Sequence, residues 1–153
     1  MSVAFRRESD EEHLEPKFEI PIPVGPNLVT ARGLELIAGR VAALEKQIAD
    51  TVDAAEIAVL KRDLRYWQTR QITAEVAPPP TGGTVEFGCR VTILLNGKPK
   101  TYRIVGDDEA DPAAGLISFT SPMSRALLGG EVDEVLAFGA VDDAIRIVKI
   151  ATN

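Results

Sequence analysis

Two neighbouring stretches of the chain repeat apolar residues at helical spacing. Leu34, Ile37, Val41, Leu44 and Ile48 recur at intervals of 3, 4, 3 and 4. Ile57, Leu60, Leu64 and Trp67 recur at 3, 4 and 3, and Gln71 and Ala74 continue that seam. Each series predicts a helix with a single narrow apolar stripe, the a/d pattern of a coiled coil. Thr30 suits the N-cap of the first helix. Asp53 followed by Glu56 predicts a capping-box-like start to the second, with negative charge at the positive end of its dipole. The break falls near residues 49–53, and helices joined by so short a connection run antiparallel. A helix packed into a globule usually has a wider apolar face, so the narrow seams favour a projecting two-helix coiled coil over a hairpin packed on the rest of the chain.

Beyond Pro78-Pro79-Pro80-Thr81-Gly82-Gly83, which breaks any helix, the period changes to two. Val85 and Phe87, then Val91, Ile93 and Leu95, predict strand, with Gly88 as a bulge. Asn96-Gly97 before residues 98–105 predicts a two-residue hairpin turn. Residues 116–119 predict another short strand. Ser121-Pro122 predicts a short helix that Gly129-Gly130 ends, and residues 132–138 and 144–150 predict two final strands. The fold class is α+β: an antiparallel helical hairpin followed by an antiparallel-sheet domain with one short helix.

Composition divides the chain further. Residues 1–29 hold six acidic and three basic residues together with Pro16, Pro21, Pro23 and Pro26, and predict an extended or disordered acidic leader. Residues 30–77 form the hairpin and contain no proline, 78–83 a Pro/Gly linker, and 84–153 the second domain. With 153 residues, 45% hydrophobic and 26% charged, the chain can bury a core. Its net charge of −6 argues against sequence-independent nucleic-acid binding. The single Cys89 excludes an internal disulfide and a Cys-based zinc site, and the single His13 weakens any Ser-His-Asp triad. No apolar run approaches the ~20 residues of a membrane span and no signal peptide is recognised, so a reducing cytoplasmic compartment is expected.

Three blocks carry a resemblance. They are Thr84-Val-Glu-Phe-Gly-Cys-Arg-Val-Thr92, Thr101-Tyr-Arg-Ile-Val-Gly-Asp-Asp-Glu-Ala-Asp-Pro112, and Ile117-Ser-Phe-Thr-Ser-Pro-Met-Ser-Arg-Ala-Leu-Leu-Gly129. In order and spacing they resemble the C-terminal domain of the bacterial GreA/GreB transcript-cleavage factors, over roughly half the chain. Ser124 departs from the small Ala or Gly usual there. Val29-Thr30-Ala31-Arg32-Gly33 also resembles the family's opening before its hairpin. The resemblance implies an FKBP-like second domain, an N-terminal coiled coil, and bacterial RNA polymerase as partner. In the family the C-terminal domain docks at the rim of the polymerase secondary channel. The coil enters the channel, and acids at its tip help hold a second Mg2+ that hydrolyses backtracked RNA. The chain would need no cofactor of its own, and Mg2+ would be the polymerase's. Nucleic acid would be met only through the elongation complex, no membrane is implied, and a monomer is expected.

The tip is where the chain departs from its relatives. The family's Gly-Asp followed by Glu-Asn-Ala is missing, and Ala49-Asp50-Thr51-Val52-Asp53-Ala54-Ala55-Glu56 stands in its place. Asp50, Asp53 and Glu56 are either a substitute metal-holding tip or, more simply, helix caps and solvated acids. A first helix of some 20 residues reaches roughly 30 Å. The family's coil is about half as long again, leaving a shortfall of more than ~10 Å, whereas a carboxylate ligates Mg2+ at about 2.1 Å. A docked relative this short would occupy the channel mouth without donating cleavage chemistry.

The resemblance carries the docking surface to Thr120, Ser121, Pro122, Met123 and Arg125. Lys61, Arg62, Arg65 and Arg70 form a basic cluster on the second helix, either a contact for RNA or acidic protein or, as the equal acid and base counts favour, a solvated face with partners such as Asp63 and Glu56. Asp107, Asp108, Glu109 and Asp111 lack EF-hand spacing and read as a solvated acidic loop, with no metal site. Three functions are expected in order. The first is a polymerase-binding factor that modulates elongation or initiation without stimulating cleavage. The second is a true cleavage factor using Asp50, Asp53 and Glu56. The third, from another class, is an FKBP-like prolyl isomerase, disfavoured because only Phe87, Tyr102, Phe119 and Phe138 are available to line its pocket. In the two favoured readings the isolated chain is not an enzyme, since even active members of the family borrow the polymerase's catalytic centre.

Overall fold

The computed structural model describes residues 18–153. The first seventeen residues, with His13 and most of the expected leader, lie outside the described part. The chain divides into two compact units. One holds the hairpin from Leu34 to Ala74 with residues 18–25; the other comprises Pro26–Gly33 and Glu75–Asn153.

The hairpin consists of α1 (Ala31–Asp50) and α2 (Ala54–Thr73), each of 20 residues. The break is where the capping signals predict it. Asp53 is extended (φ −71°, ψ 122°), and its carboxylate accepts the Glu56 amide at 3.0 Å. At the end of α1, the Thr51 hydroxyl donates to Gln47 O at 2.5 Å, closing the last turn. Along the hairpin seam Leu44, Ile48, Ile57, Leu60, Leu64 and Trp67 are half-buried, and Ile37 and Val41 alone among the seam residues are fully buried. Trp67 meets Tyr66 edge-on at 5.2 Å, and the Arg40 guanidinium lies 5.7 Å from the indole ring.

Two differences from the expected elements appear at the ends of the hairpin. Residues 27–29 are not part of an unstructured leader. They form β1 (Asn27–Val29), whose Asn27 and Val29 are buried. The second helix stops at Thr73, and Ala74–Val76 forms β2, paired with β1. Pairing with β1 satisfies backbone groups that a frayed helix end would leave open.

The second unit is built on a five-stranded sheet. Its strands are β3 (Arg90–Leu95), β4 (Lys98–Val105), β5 (Leu116–Ser118), β6 (Val135–Phe138) and β7 (Val141–Ala151), in the order β5-β4-β3-β7-β6. Asn96 (φ 50°) and Gly97 (φ 82°) make the predicted tight turn between β3 and β4. The sheet is mixed rather than antiparallel, because β5 pairs parallel with β4. The excursion from Gly106 to Gly115, including a 3-10 turn at Pro112–Ala114, carries the chain back alongside β4. Val85 and Phe87, expected in a strand, are not in one. Val85 instead exchanges hydrogen bonds with Gly129 and Gly130 (2.9 and 2.8 Å), and Gly88 turns the chain at φ +89°. Asp133, in the left-handed region at φ 71°, delays the start of β6 to Val135.

The short helix α3 (Pro122–Leu127) belongs to this unit. Val91, Ile93, Ile104, Ile117, Leu127, Ala144, Ile145 and Ile147 form the core together with Val85 and Cys89. Phe87 packs edge-on against Phe119 at 5.5 Å, and Tyr102 and Phe138 also pack on the core.

Candidate functional site

The expected docking residues gather around the start of α3. Ser121 caps this helix and accepts the Ser124 amide at 3.3 Å, with Pro122 in the first turn. Ser124, the departure from the family pattern, is fully buried, so its hydroxyl must be satisfied inside. It donates to Ser118 O at 2.6 Å and accepts from the Ser121 hydroxyl at 3.1 Å. Asp107 ties the acidic loop to the same corner: it accepts from Ser118 Oγ and, at 2.9 Å, from Thr120 Oγ1. The structure thus brings together two segments that the sequence presents separately. They form one hydrogen-bonded corner whose exposed side chains are Pro122 and Arg125, with Thr120 and Ser121 half-buried. Met123 is the exception to a fully outward surface, because it packs against the core.

The acidic loop is not uniformly solvated, which corrects the expectation for Glu109. Its carboxylate side chain is only 2% exposed. Oε1 accepts the Thr30 hydroxyl at 2.5 Å and Oε2 accepts Arg32 NH1 at 2.8 Å. The Thr30 oxygen in turn accepts the Gly33 amide at 2.9 Å, the N-cap bond predicted for α1. A Cβ on Gly33 would stand 2.9 Å from Glu109 Oε1, so this glycine is required by the close approach of the carboxylate. No spacing in the sequence links residue 109 to residue 30; only the tertiary fold does.

At the far end of the hairpin, Asp50, Asp53 and Glu56 are all exposed, with Val52 at the apex 97% exposed. Asp53 is engaged in capping α2. Among the described residues no group of three or more His, Cys, Asp or Glu is placed to hold a metal ion. The basic cluster is divided by its surroundings rather than forming one solvated face. Arg62 pairs with Asp63 at 3.2 Å, Arg65 makes a forked contact with Glu19 (2.6–3.1 Å), and Lys61 is exposed. Arg70 is buried and engaged, correcting its placement on the solvated face. Arg65 holds the Glu19 carboxyl below its ordinary range, chiefly by hydrogen bonding. Cys89 lies in the core, where desolvation pushes its thiol up.

These features define a protein with a hairpin of two 20-residue helices and a mixed-sheet unit bearing a hydrogen-bonded Ser-Pro corner. The family model described as "Transcription elongation factor, GreA/GreB, C-term" matches residues 79–152. Transcription elongation factor GreA of Yersinia pestis is 38% identical over 112 residues, covering 60% of this chain and 71% of that protein. The Haemophilus influenzae GreA is 45% identical over 81 residues, covering 52% of this chain and 51% of its own length. Among solved structures, Gfh1 (GreA factor homolog 1) of Thermus thermophilus is 19% identical, with 82% of this chain and 99% of that one covered at a TM-score of 0.38. The chain belongs to the GreA/GreB family of transcription elongation factors.

Proposed function

We propose that this protein binds bacterial RNA polymerase through the corner at Thr120, Ser121, Pro122, Met123 and Arg125. It enters the secondary channel with its hairpin and modulates elongation or initiation without stimulating transcript cleavage. The observation that carries this reading is the stalk. Two helices of 20 residues reach about 30 Å, well short of the coil that the family resemblance implies. The apex is an exposed valine, and Asp53 is occupied as a helix cap. Hard oxygen ligands must lie about 2.1 Å from Mg2+, and side-chain rotamers do not span a gap of more than ~10 Å. Catalysis would remain the polymerase's, and the site of action would be the cytoplasm. No helix among the described residues is long and apolar enough to cross a membrane.

A second reading, cleavage stimulation by a rebuilt tip, is favoured by one observation: Asp50, Asp53 and Glu56 are all exposed around the same turn. A cleavage assay on backtracked elongation complexes separates the two. The expected result is polymerase binding that depends on Ser121 and Pro122, with no shortening of the RNA. Shortening that vanishes in the Asp50→Ala/Asp53→Ala/Glu56→Ala variant would establish the second reading instead. The prolyl isomerase reading loses ground because Tyr102, Phe119 and Phe138 pack on the core, and Phe87, which packs there too, adds only one aromatic wall to a cavity.

A further inference from the structure

The sheet carries an unpartnered pair of arginines. Arg90 of β3 stands directly opposite Arg103 of β4. The Arg103 amide donates to Gly115 O at 2.8 Å, away from β3, while the Ile104 amide donates to Cys89 O at 3.1 Å. Arg90 and Arg103 therefore form a non-hydrogen-bonded pair, the class in which Cα atoms approach to about 4.5 Å and side chains lie closest. Their neighbours Val91, Tyr102 and Ile104 belong to the core, so both arginines stand on the opposite face. Lys149 of β7, opposite Thr92, reaches the same face.

Like charges directly opposite in a ladder destabilise it. An acid beside them would offset this, but neither arginine side chain makes a hydrogen bond or ion pair among the described residues. Arg103 Nε is moreover the one buried side-chain nitrogen or oxygen among them with no partner. The Arg103 side chain also walls a cavity of about 280 Å3, otherwise lined largely by apolar groups of Pro78, Pro79, Pro80 and Phe87, with Thr152 at its side. Part of the stretch expected as a Pro/Gly linker is thus one wall of that cavity.

We propose that this face binds a small phosphate monoester. The fork of Arg103 would grip the phosphate oxygens in the planar geometry guanidinium favours, with Arg90 and Lys149 completing the charge balance. The ester's apolar or aromatic body would lie against Phe87 and the prolines. A dianion suits the site better than a monocarboxylate because Arg103, with its buried unpartnered Nε, stands directly opposite a second arginine, Arg90. The cavity admits a body of about one ring, being near the lower limit of small-molecule sites. A nucleic-acid strand is disfavoured by the chain's net charge of −6.

The test uses the full chain and phenyl phosphate as probe, at low ionic strength, by calorimetry and by NMR shifts of the Phe87 and Thr152 amides. Saturable one-to-one binding is expected, about tenfold or more tighter than inorganic phosphate because the ring is buried. Arg103→Met should abolish binding, and Arg90→Met, at an exposed position that keeps the fold, should weaken it by about threefold to tenfold. Without ligand, Arg90→Met should raise the melting temperature by removing the like-charge pair, and phenyl phosphate should raise that of the unaltered protein. No saturable binding, equal affinity for inorganic phosphate, or unchanged binding by Arg90→Met would each overturn the proposal.

Discussion

Replacing Glu109 by alanine should destabilise the second unit by about 2–4 kcal/mol. The carboxylate is 2% exposed and accepts from a hydroxyl at 2.5 Å and a guanidinium at 2.8 Å. A hydrogen bond to a buried charged group contributes about 1.5–3 kcal/mol. The Arg32 partner adds only about 0–1 kcal/mol, since its side chain is 63% exposed and solvent screens the pair. Glu109→Gln keeps the shape and an acceptor for Thr30 and should cost about 1 kcal/mol, and Arg32→Ala less than that. Urea unfolding followed through NMR amide signals of β3 and β4 measures each effect, with an unchanged m-value as the control for a common unfolded state. Asp142→Ala, at an exposed position near the start of β7, serves as reference and should stay within about 0.5 kcal/mol of the parent. The reasoning fails if Glu109→Ala is as mild as Asp142→Ala, or if Arg32→Ala costs as much as Glu109→Ala. In either case the buried carboxylate would not be the centre of the network.

Two further outcomes follow from close contacts and charge. A Cβ on Gly106 would stand 2.3 Å from Leu28 O, a backbone atom that cannot rotate aside, so Gly106→Ala should cost about 3 kcal/mol in the same unfolding measurement, whereas Gly39→Ala, with open space around it, should be neutral or stabilising. The Glu19 carboxyl should titrate below its ordinary value of 4.5 in an NMR titration, and Arg65→Ala should bring it back. Because the folded-state value is depressed, any stabilisation from this pair is present above the ordinary value and is lost as the pH falls through the depressed one; a Glu19 titration unmoved by Arg65→Ala would refute the assignment.

The hairpin was readable because its determinants are local. Thr30, the Asp50–Asp53 break and the Asp53–Glu56 cap act within one turn of the chain, and the 3, 4 spacing states which face is apolar. The Asn96-Gly97 turn and the Ser121-Pro122 helix start were legible for the same reason. The strand assigned to Val85 and Phe87 failed because alternating apolar residues also suit a segment that bonds to a helix end, as Val85 does with Gly129 and Gly130. The expectation of solvated acids held for exposed Asp111 and not for Glu109, although they are two residues apart in one loop. Likewise Arg62 and Arg70 are the same residue type on one helix, yet one is half-exposed beside Asp63 and the other is buried.

From its residues alone, this protein was bound to form two capped helices of limited reach, a tight β-turn and a Ser-Pro-capped short helix, because each depends on side chains a few positions apart. Tertiary structure alone decided the parallel seating of β5, the burial of Glu109 against Thr30 and Arg32, and the meeting of Arg90 with Arg103 beside a proline-walled cavity. Those pairings join residues up to 79 positions apart, and whether a charge meets a partner, an apolar wall or water depends on register and packing that no local pattern encodes.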